Sequence, residues 1–138
     1  MHRIDKSKKF TPVKFSIATI SDSRSIENDK SGDLLDKKIK KSGHEILSRF
    51  IIPDDKKKID VYLKKQIKNK DIDAIITTGG TGLTGRDSTP EVVKNLIDKE
   101  IEGFGELFRL ISFKKIGTSS LQSRAIAGVA KTTFIFCL

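Results

Sequence analysis

Segments with strand and helix patterns alternate three times before residue 100, and this alternation leaves few folds open to the chain. Alternating or continuous apolar runs predict strands at 13–21, 44–52 and 73–78. Strands separated by helices usually pair in parallel, so the sequence predicts an α/β fold with a mostly parallel sheet. The apolar residues at helical spacing are Leu34, Leu35 and Ile39 in the first helix, Ile59, Leu63 and Ile67 in the second, and Val92, Val93, Leu96 and Ile97 in the third.

Capping signals locate the starts of two of these helices. Asp54 and Asp55 stand just before the second helix and predict its N-cap. Ser88 offers a cap for the third helix, with Pro90 in the first turn and Glu91 as the acid of a capping box. These signals also affect function, because an aspartate used as a cap is not free to meet a ligand.

The rest of the chain is interpreted as part of the same domain. Residues 104–113 predict a further helix, and 125–138 predict two strands joined near Lys131 and Thr132. Residues 1–12 are basic and show no hydrophobic period, so they are predicted to be a flexible arm. Residues 13–138 then form a single domain, which is ordinary for 138 residues.

The net charge of +9 comes from the first half of the chain, where 19 Lys and Arg in residues 1–70 stand against 10 Asp and Glu. Such a surface attracts nucleic acid, anionic membrane or phosphorylated small molecules, and charge alone does not choose among them. Solvated helix faces are the plainer interpretation of the lysines. Phe104 and Phe108 have helical spacing and are interpreted as core, which makes a nucleic-acid module a third alternative.

Several classes of protein are excluded by what the sequence lacks. Cys137 is the single cysteine and there are two histidines, so neither a disulfide framework nor a common zinc site can be built. No apolar run reaches the length of a membrane span, and the N-terminus is too polar for a secretory signal. We therefore expect a soluble, cytoplasmic protein with no membrane partner.

Four glycines follow the third predicted strand, within the segment 77–87, which we call the glycine loop. Glycines at a strand end allow a ligand to approach backbone N–H groups closely, and the expected ligand is phosphate or another anion. The alternative is a flexible turn. The run from Gly80 to Gly85 matches G-x-G-x-x-G but follows the wrong strand for a dinucleotide fold, and it lacks the lysine of a P-loop.

Aspartates follow each of the first three predicted strands, where open α/β sheets bind ligands. Asp87 is a candidate magnesium ligand beside bound phosphate, or a turn residue before the third helix. Asp54 either faces the pocket as a second carboxylate or caps a helix. Asp22 and Arg24 either contact a ligand or form an ordinary turn with a solvated arginine.

The segment around these residues resembles the molybdopterin-binding domain of molybdenum cofactor biosynthesis, and the similarity extends over 13–138. Within the family, the stretches 103–109 and 112–130 look most similar to the protein B branch. The residues that carry the resemblance are Thr77, Thr78, Gly79, Gly80, Thr81 and Gly82, with Asp87 and Pro90 after them and Ile52, Pro53 and Asp54 before them.

The resemblance implies a three-layer α/β/α fold, assembly into homo-trimers or homo-hexamers, and binding of molybdopterin by loops at the strand ends. It also implies an adenylyltransferase, which transfers AMP from Mg-ATP to molybdopterin and releases pyrophosphate. Asp87 and Asp54 would be catalytic or hold Mg²⁺. The alternative is a non-catalytic molybdopterin-binding member of the protein B branch. The expected binding residues are Ser21, Asp22 and Arg24 after the first strand, and Thr78, Gly79, Gly80, Thr81 and Gly82 in the glycine loop.

The family continues beyond its last strand with a Pro-Gly loop and a helix, whereas this sequence ends at Leu138. We therefore expect one wall of the binding pocket to be missing from this chain.

Overall fold

The computed structural model describes residues 4–138, so the first three residues of the predicted arm lie outside the described residues. Its centre is one six-stranded sheet with the strand order β2-β1-β3-β6-β5-β4. The strands are β1 Lys14–Ile20, β2 Glu45–Ile52, β3 Ala74–Thr78, β4 Lys99–Glu100, β5 Ile126–Ala130 and β6 Thr133–Cys137.

The sheet is mostly parallel, as the strand and helix alternation predicts. β1 pairs in parallel with β2 and β3, and β3 pairs in parallel with β6. β5 runs antiparallel to β6, because a tight hairpin joins them, and it also pairs antiparallel with β4. Lys131 turns that hairpin with a φ of 56°, a left-handed conformation that is uncommon for residues other than glycine.

Helices cover both faces of the sheet and make the fold three-layered. On one face, the Tyr62 hydroxyl lies 2.8 Å from the Ser16 hydroxyl of β1. On the opposite face, Thr19 of β1 contacts Asp29, and Phe136 of β6 packs against Phe104. α2 Lys56–Lys68 and α3 Thr89–Leu96 lie on the first face, and α1 Lys30–Lys41 and α4 Glu102–Ile116 lie on the second.

The main core lies between the sheet and the pair α2 and α3. Ile59 and Leu63 of α2 are fully buried there, as is Val93 of α3, against Ile75 of β3 and Ile135 of β6. Burying an aliphatic side chain of this size contributes about 1.5–3 kcal/mol. This core fixes the carboxyl ends of the central parallel strands, where the glycine loop begins.

Two capping predictions need correction. Ser88 does stand before α3 with Pro90 in the first turn, but its side chain makes no capping hydrogen bond. Glu91 is not the acid of a capping box, because its carboxylate pairs with Arg124 instead. An arginine that arrives from a distant segment is invisible to local sequence patterns.

The first helix begins earlier than its apolar residues indicate. Asp29 caps α1 by accepting a hydrogen bond from the Gly32 N–H at 3.0 Å, so the helix starts at Lys30. Asp29 is buried and also binds Arg49 and Thr19. Two short 3₁₀ helices, at Ile26–Asn28 and Gly117–Gln122, and the short strand β4 were not predicted either.

Residues 4–12 form neither helix nor strand, and the Phe10 ring lies 5.2 Å from the ring of His44. The flexibility of this arm stays a prediction. Between residues 4 and 138, every helix is too short or too polar to cross a membrane.

Candidate functional site

Three loops meet where β1, β2 and β3 end, because parallel strands bring their carboxyl ends to one edge of the sheet. The Ser21 N–H donates to the Ile52 carbonyl at 2.9 Å, which joins the first loop to the second. The Asp54 N–H donates to the Asp22 carboxylate at 3.1 Å. Side chains that are more than 30 positions apart in sequence therefore lie together.

Arg86 connects the glycine loop to the other two loops. Its guanidinium lies 2.8 Å from the Asp22 carboxylate and donates to the Asp54 carbonyl at 3.0 Å. Two thirds of the Arg86 side chain is exposed. The arginine therefore forms a solvent-facing link that a polyanionic ligand can compete for.

The backbone of the glycine loop requires glycine at its start. Gly79 and Gly80 have φ values of 99° and 69°, in the left-handed region that other residues rarely adopt. A Cβ on Gly79 would lie 2.4 Å from the Ile20 carbonyl, and one on Gly80 would lie 2.3 Å from the Thr89 hydroxyl. The loop can thus pass tightly over the end of β1 only with these glycines.

The N–H groups of this loop are only partly available to a ligand. Gly79 donates its N–H to the Leu138 carbonyl at 3.0 Å. Gly80 and Thr81 donate no backbone hydrogen bond to any residue within the described range. The candidate cradle for an anion is therefore the middle of the loop rather than its first glycine.

Asp87 lies in the glycine loop as a fixed, ionised carboxylate. Hydrogen bonds from the Thr84 hydroxyl and N–H, at 2.5 and 2.9 Å, are the main cause of a lowered Asp87 pKa. The backbone of Gly82 and the charge of Arg124 lower the pKa further. Asp87 also needs Gly82 beside it, because a Cβ there would lie 2.7 Å from the carboxylate.

The pKa of Asp54 shifts in the opposite direction, upward. Burial raises its pKa first, and the negative charges of Asp87 and Asp22 raise it further, against the opposing effect of Arg86. Its Oδ1 atom is buried and accepts no hydrogen bond within the described chain. Asp55, and not Asp54, caps α2 by accepting from the Lys58 N–H at 2.9 Å. Asp54 is therefore free of the structural role that the sequence allowed.

Arg124 belongs to the site, although motif reasoning did not identify it. Its Nε donates to the Gly82 carbonyl at 2.8 Å, and another guanidinium nitrogen donates to the Asp87 carbonyl at 2.5 Å. Its remaining nitrogen pairs with the Glu91 carboxylate, and this contact lowers the Glu91 pKa. Arg124 lies within the stretch 112–130 that carries part of the family resemblance, which was the one available signal.

A polar cavity of about 430 Å³ opens beside Asp87. Lys56, at the start of α2, supplies a positive charge to its wall. The hydroxyl oxygen of Ser88 also lies there, buried and without a partner in the described chain. The cavity thus combines a cation with an unused hydroxyl group, which suits a phosphorylated ligand.

The remaining predicted binding residues differ in how closely they approach this site. Thr78, Thr81 and Gly82 lie half-buried along the glycine loop, and the Gly82 carbonyl accepts a hydrogen bond from Arg124. Ser21 uses its hydroxyl to accept from the Arg24 N–H at 3.2 Å. Arg24 points its guanidinium to the Asn28 carbonyl in its own loop, so its ordinary-turn interpretation fits the structure better.

Comparison with known proteins agrees with the fold and identifies the family. The family described as "Probable molybdopterin binding domain" matches residues 16–138. Molybdenum cofactor biosynthesis protein B of Escherichia coli K12 is 42% identical over 132 residues, covering 96% of this chain and 78% of that protein.

Solved structures give the same result. A crystal structure of molybdenum cofactor biosynthesis protein B is 45% identical, with a TM-score of 0.90 over 95% of this chain and 82% of that one. The tungsten cofactor synthesizing protein MoaB from Pyrococcus furiosus is 36% identical, with a TM-score of 0.82 over 94% and 83% of the two chains. This chain therefore belongs to the family of molybdopterin-binding domains of molybdenum cofactor biosynthesis, as its glycine loop and aspartates predict.

Proposed function

We propose that this protein binds molybdopterin at the glycine loop and transfers AMP to it from Mg-ATP. The observation that carries the proposal is a pair of carboxylates at the ends of three parallel strands, Asp54 and Asp87, whose pKa values shift upward and downward respectively. Pairs of this kind are typical of functional sites, because structural needs alone do not favour a carboxylate oxygen that is buried without a hydrogen-bond partner.

In this reaction one phosphorus–oxygen bond forms and another breaks. An oxygen of the terminal phosphate of molybdopterin attacks the α-phosphorus of ATP, and the bond from that phosphorus to the bridging oxygen breaks, releasing pyrophosphate. Phosphoryl chemistry of this kind depends on positioning and charge neutralisation more than on covalent catalysis. The free N–H groups of Gly80 and Thr81, the Ser88 hydroxyl and Lys56 are suited to hold the phosphates.

The donor set fits a magnesium ion that arrives with ATP. Asp54 Oδ1 is a buried oxygen without a hydrogen-bond donor, and Asp87 is an ionised carboxylate near it. Within residues 4–138, no three metal-ligating side chains cluster together, so phosphate oxygens and water would have to complete the shell. Bound Mg²⁺ would neutralise charge on the phosphates. The protein's part is to keep both carboxylates in place, which the Thr84 and Gly82 contacts do for Asp87.

The test is AMP transfer by the purified chain given molybdopterin and Mg-ATP, with the adenylated product separated by chromatography. Asp54→Asn and Asp87→Asn should each lower turnover about a hundredfold or more, since each removes a charge from the site. Asp55→Asn is the matched control, because asparagine also caps helices well and turnover should persist. Undiminished turnover in the folded Asp54 and Asp87 variants would refute the proposal.

A second candidate is binding of molybdopterin without transfer. It is favoured by the names of the similar proteins, which give a pathway and no reaction. The same experiment separates the two candidates: saturable binding of molybdopterin with no adenylated product supports the non-catalytic role.

We also propose that the protein assembles into homo-trimers or homo-hexamers. The supporting observation is an apolar surface on α4, where large side chains are more than half exposed. Exposed apolar patches of this kind mark association surfaces. Light scattering should give a mass of three or six chains, and Leu110→Lys should reduce it. The exposed residues are Leu107, Leu110, Ile111, Phe113 and Ile116.

A further inference from the structure

A second concave surface, distinct from the cavity beside Asp87, lies between the edge strand β2 and helix α2. This groove has a volume of about 360 Å³, and Asp54 and Asp87 do not line it. Phe50 of β2 and Val61 and Tyr62 of α2 form its apolar floor. We call it the β2–α2 groove.

The floor of the groove is rigid and exposes carbon to solvent. The rings of Phe50 and Tyr62 meet edge to face, with centroids 5.4 Å apart. The Tyr62 hydroxyl is held inside the fold by Ser16, so the ring cannot swing out. Val61 is 66% exposed and Phe50 is 36% exposed. A large apolar side chain placed there would cover both residues.

The rim of the groove carries one sign of charge. Lys57, Lys58 and Lys65 line it, and no acidic side chain does so among the described residues. None of these lysines forms an ion pair within the described chain, and nearby Asp60 is already paired with Lys64 at 2.7 Å. The charge of the groove is therefore uncompensated and complements an anionic partner.

The free edge of β2 favours a polypeptide partner. Within the described residues, β2 pairs with β1 on one side and with no strand on the other. A free strand edge offers N–H and C=O groups that an extended peptide can pair with. A second copy of this chain is disfavoured, because it would bring its own lysines. Nucleic acid prefers open aromatic faces, whereas the Tyr62 ring is buried.

We propose that the β2–α2 groove binds an extended acidic segment of a partner protein that carries a large apolar side chain. The apolar side chain fills the floor over Phe50 and Val61, and the acidic residues pair with the lysines of the rim. This proposal is independent of the reaction at the glycine loop.

The test is fluorescence anisotropy with the whole chain and a labelled synthetic peptide in which phenylalanines alternate with pairs of glutamates. Saturable binding is expected, and it should weaken as salt rises. Lys57→Glu with Lys65→Glu should weaken binding about tenfold or more, because rim repulsion replaces attraction. Lys37→Glu with Lys41→Glu on α1 is the matched control of equal charge, and should change affinity little.

A second variant tests the apolar contact. Val61→Ser leaves the charge unchanged at an exposed position that the fold tolerates, and should also weaken binding. A peptide with serine in place of phenylalanine should bind the wild-type chain as weakly as the original peptide binds Val61→Ser. The proposal is overturned if the peptide does not bind, if the α1 control loses as much affinity, or if oligothymidylate of equal charge binds in its place.

Discussion

Arg124 donates from Nε to the carbonyl oxygen of Gly82 at 2.8 Å, and so fixes the glycine loop from a segment 42 residues further along the chain. A guanidinium can serve two carbonyls and a carboxylate at once, because its donors lie in a rigid plane. The loop that carries Asp87 is therefore positioned by the segment before β5 as well as by its own turn.

Arg124→Lys should lower kcat/KM for AMP transfer about tenfold or more, since an ammonium cannot reproduce the contacts to Gly82, Asp87 and Glu91. Steady-state kinetics on the folded variant measure this. Arg109→Lys is the matched control, because Arg109 donates to the Ser123 carbonyl and does not contact the loop. Equal losses in both variants would argue against a positioning role for Arg124.

Asp54→Asn should stabilise the fold at neutral pH although it lowers turnover. The Asp54 pKa is raised in the folded state, so folding favours the protonated carboxyl. The carboxyl of Asp54 is least unfavourable to folding stability below its unfolded pKa of 3.8. This advantage is lost as pH rises through the pKa of the folded state. Denaturant unfolding should give the variant a higher free energy of unfolding than the wild type at neutral pH. This difference should vanish below about pH 3.8. A gain that is independent of pH would contradict this origin.

Gly79→Ala should destabilise the protein by at least about 2 kcal/mol, because φ is positive and the new Cβ meets a backbone oxygen. Gly85→Ala should fall within about 0.5 kcal/mol of the wild type, since no atom of residues 4–138 lies within 4 Å of its Cβ position. Thermal or urea unfolding compares the two. Similar costs for both would mean that the start of the glycine loop is not constrained as described.

Asp29→Ala should cost about 3 kcal/mol of unfolding free energy, because it leaves Arg49 beside an empty, buried position. Asp36→Ala, which breaks the exposed pair with Lys40, should cost less than about 1 kcal/mol.

The Asp29 contacts also predict a dependence on pH. Burial opposes ionisation of Asp29, but hydrogen bonds from Gly32, Arg49 and Thr19 outweigh it, and the pKa is lowered. The stability that Asp29 contributes is thus present above the unfolded pKa of 3.8 and is lost as pH falls through the folded value. The difference in unfolding free energy between the wild type and Asp29→Ala should therefore shrink at acidic pH. Urea unfolding at several pH values would measure it.

Local patterns identified the long helices and strands, because the hydrophobic pattern of each lies within one continuous segment of the chain. The apolar run 73–78 predicts a buried strand wherever it lies, and Ile59 and Leu63 mark one helix face by spacing alone. Caps were less predictable. Asp54 and Asp55 are adjacent and chemically identical, and only the path of the backbone after β2 makes Asp55 the cap.

Residues that are neighbours along the chain are enough to predict the mostly parallel α/β sheet, the glycine loop and the aspartates at the strand ends. The tertiary structure sets the burial, the pKa and the contacts of each aspartate. The fold buries Asp54 Oδ1 away from any donor among the described residues. It lowers the Asp87 pKa through hydrogen bonds from Thr84, and it brings Arg124 to the loop. The physical reason is that a pKa and a guanidinium contact depend on distances through space, which residue spacing along the chain does not record.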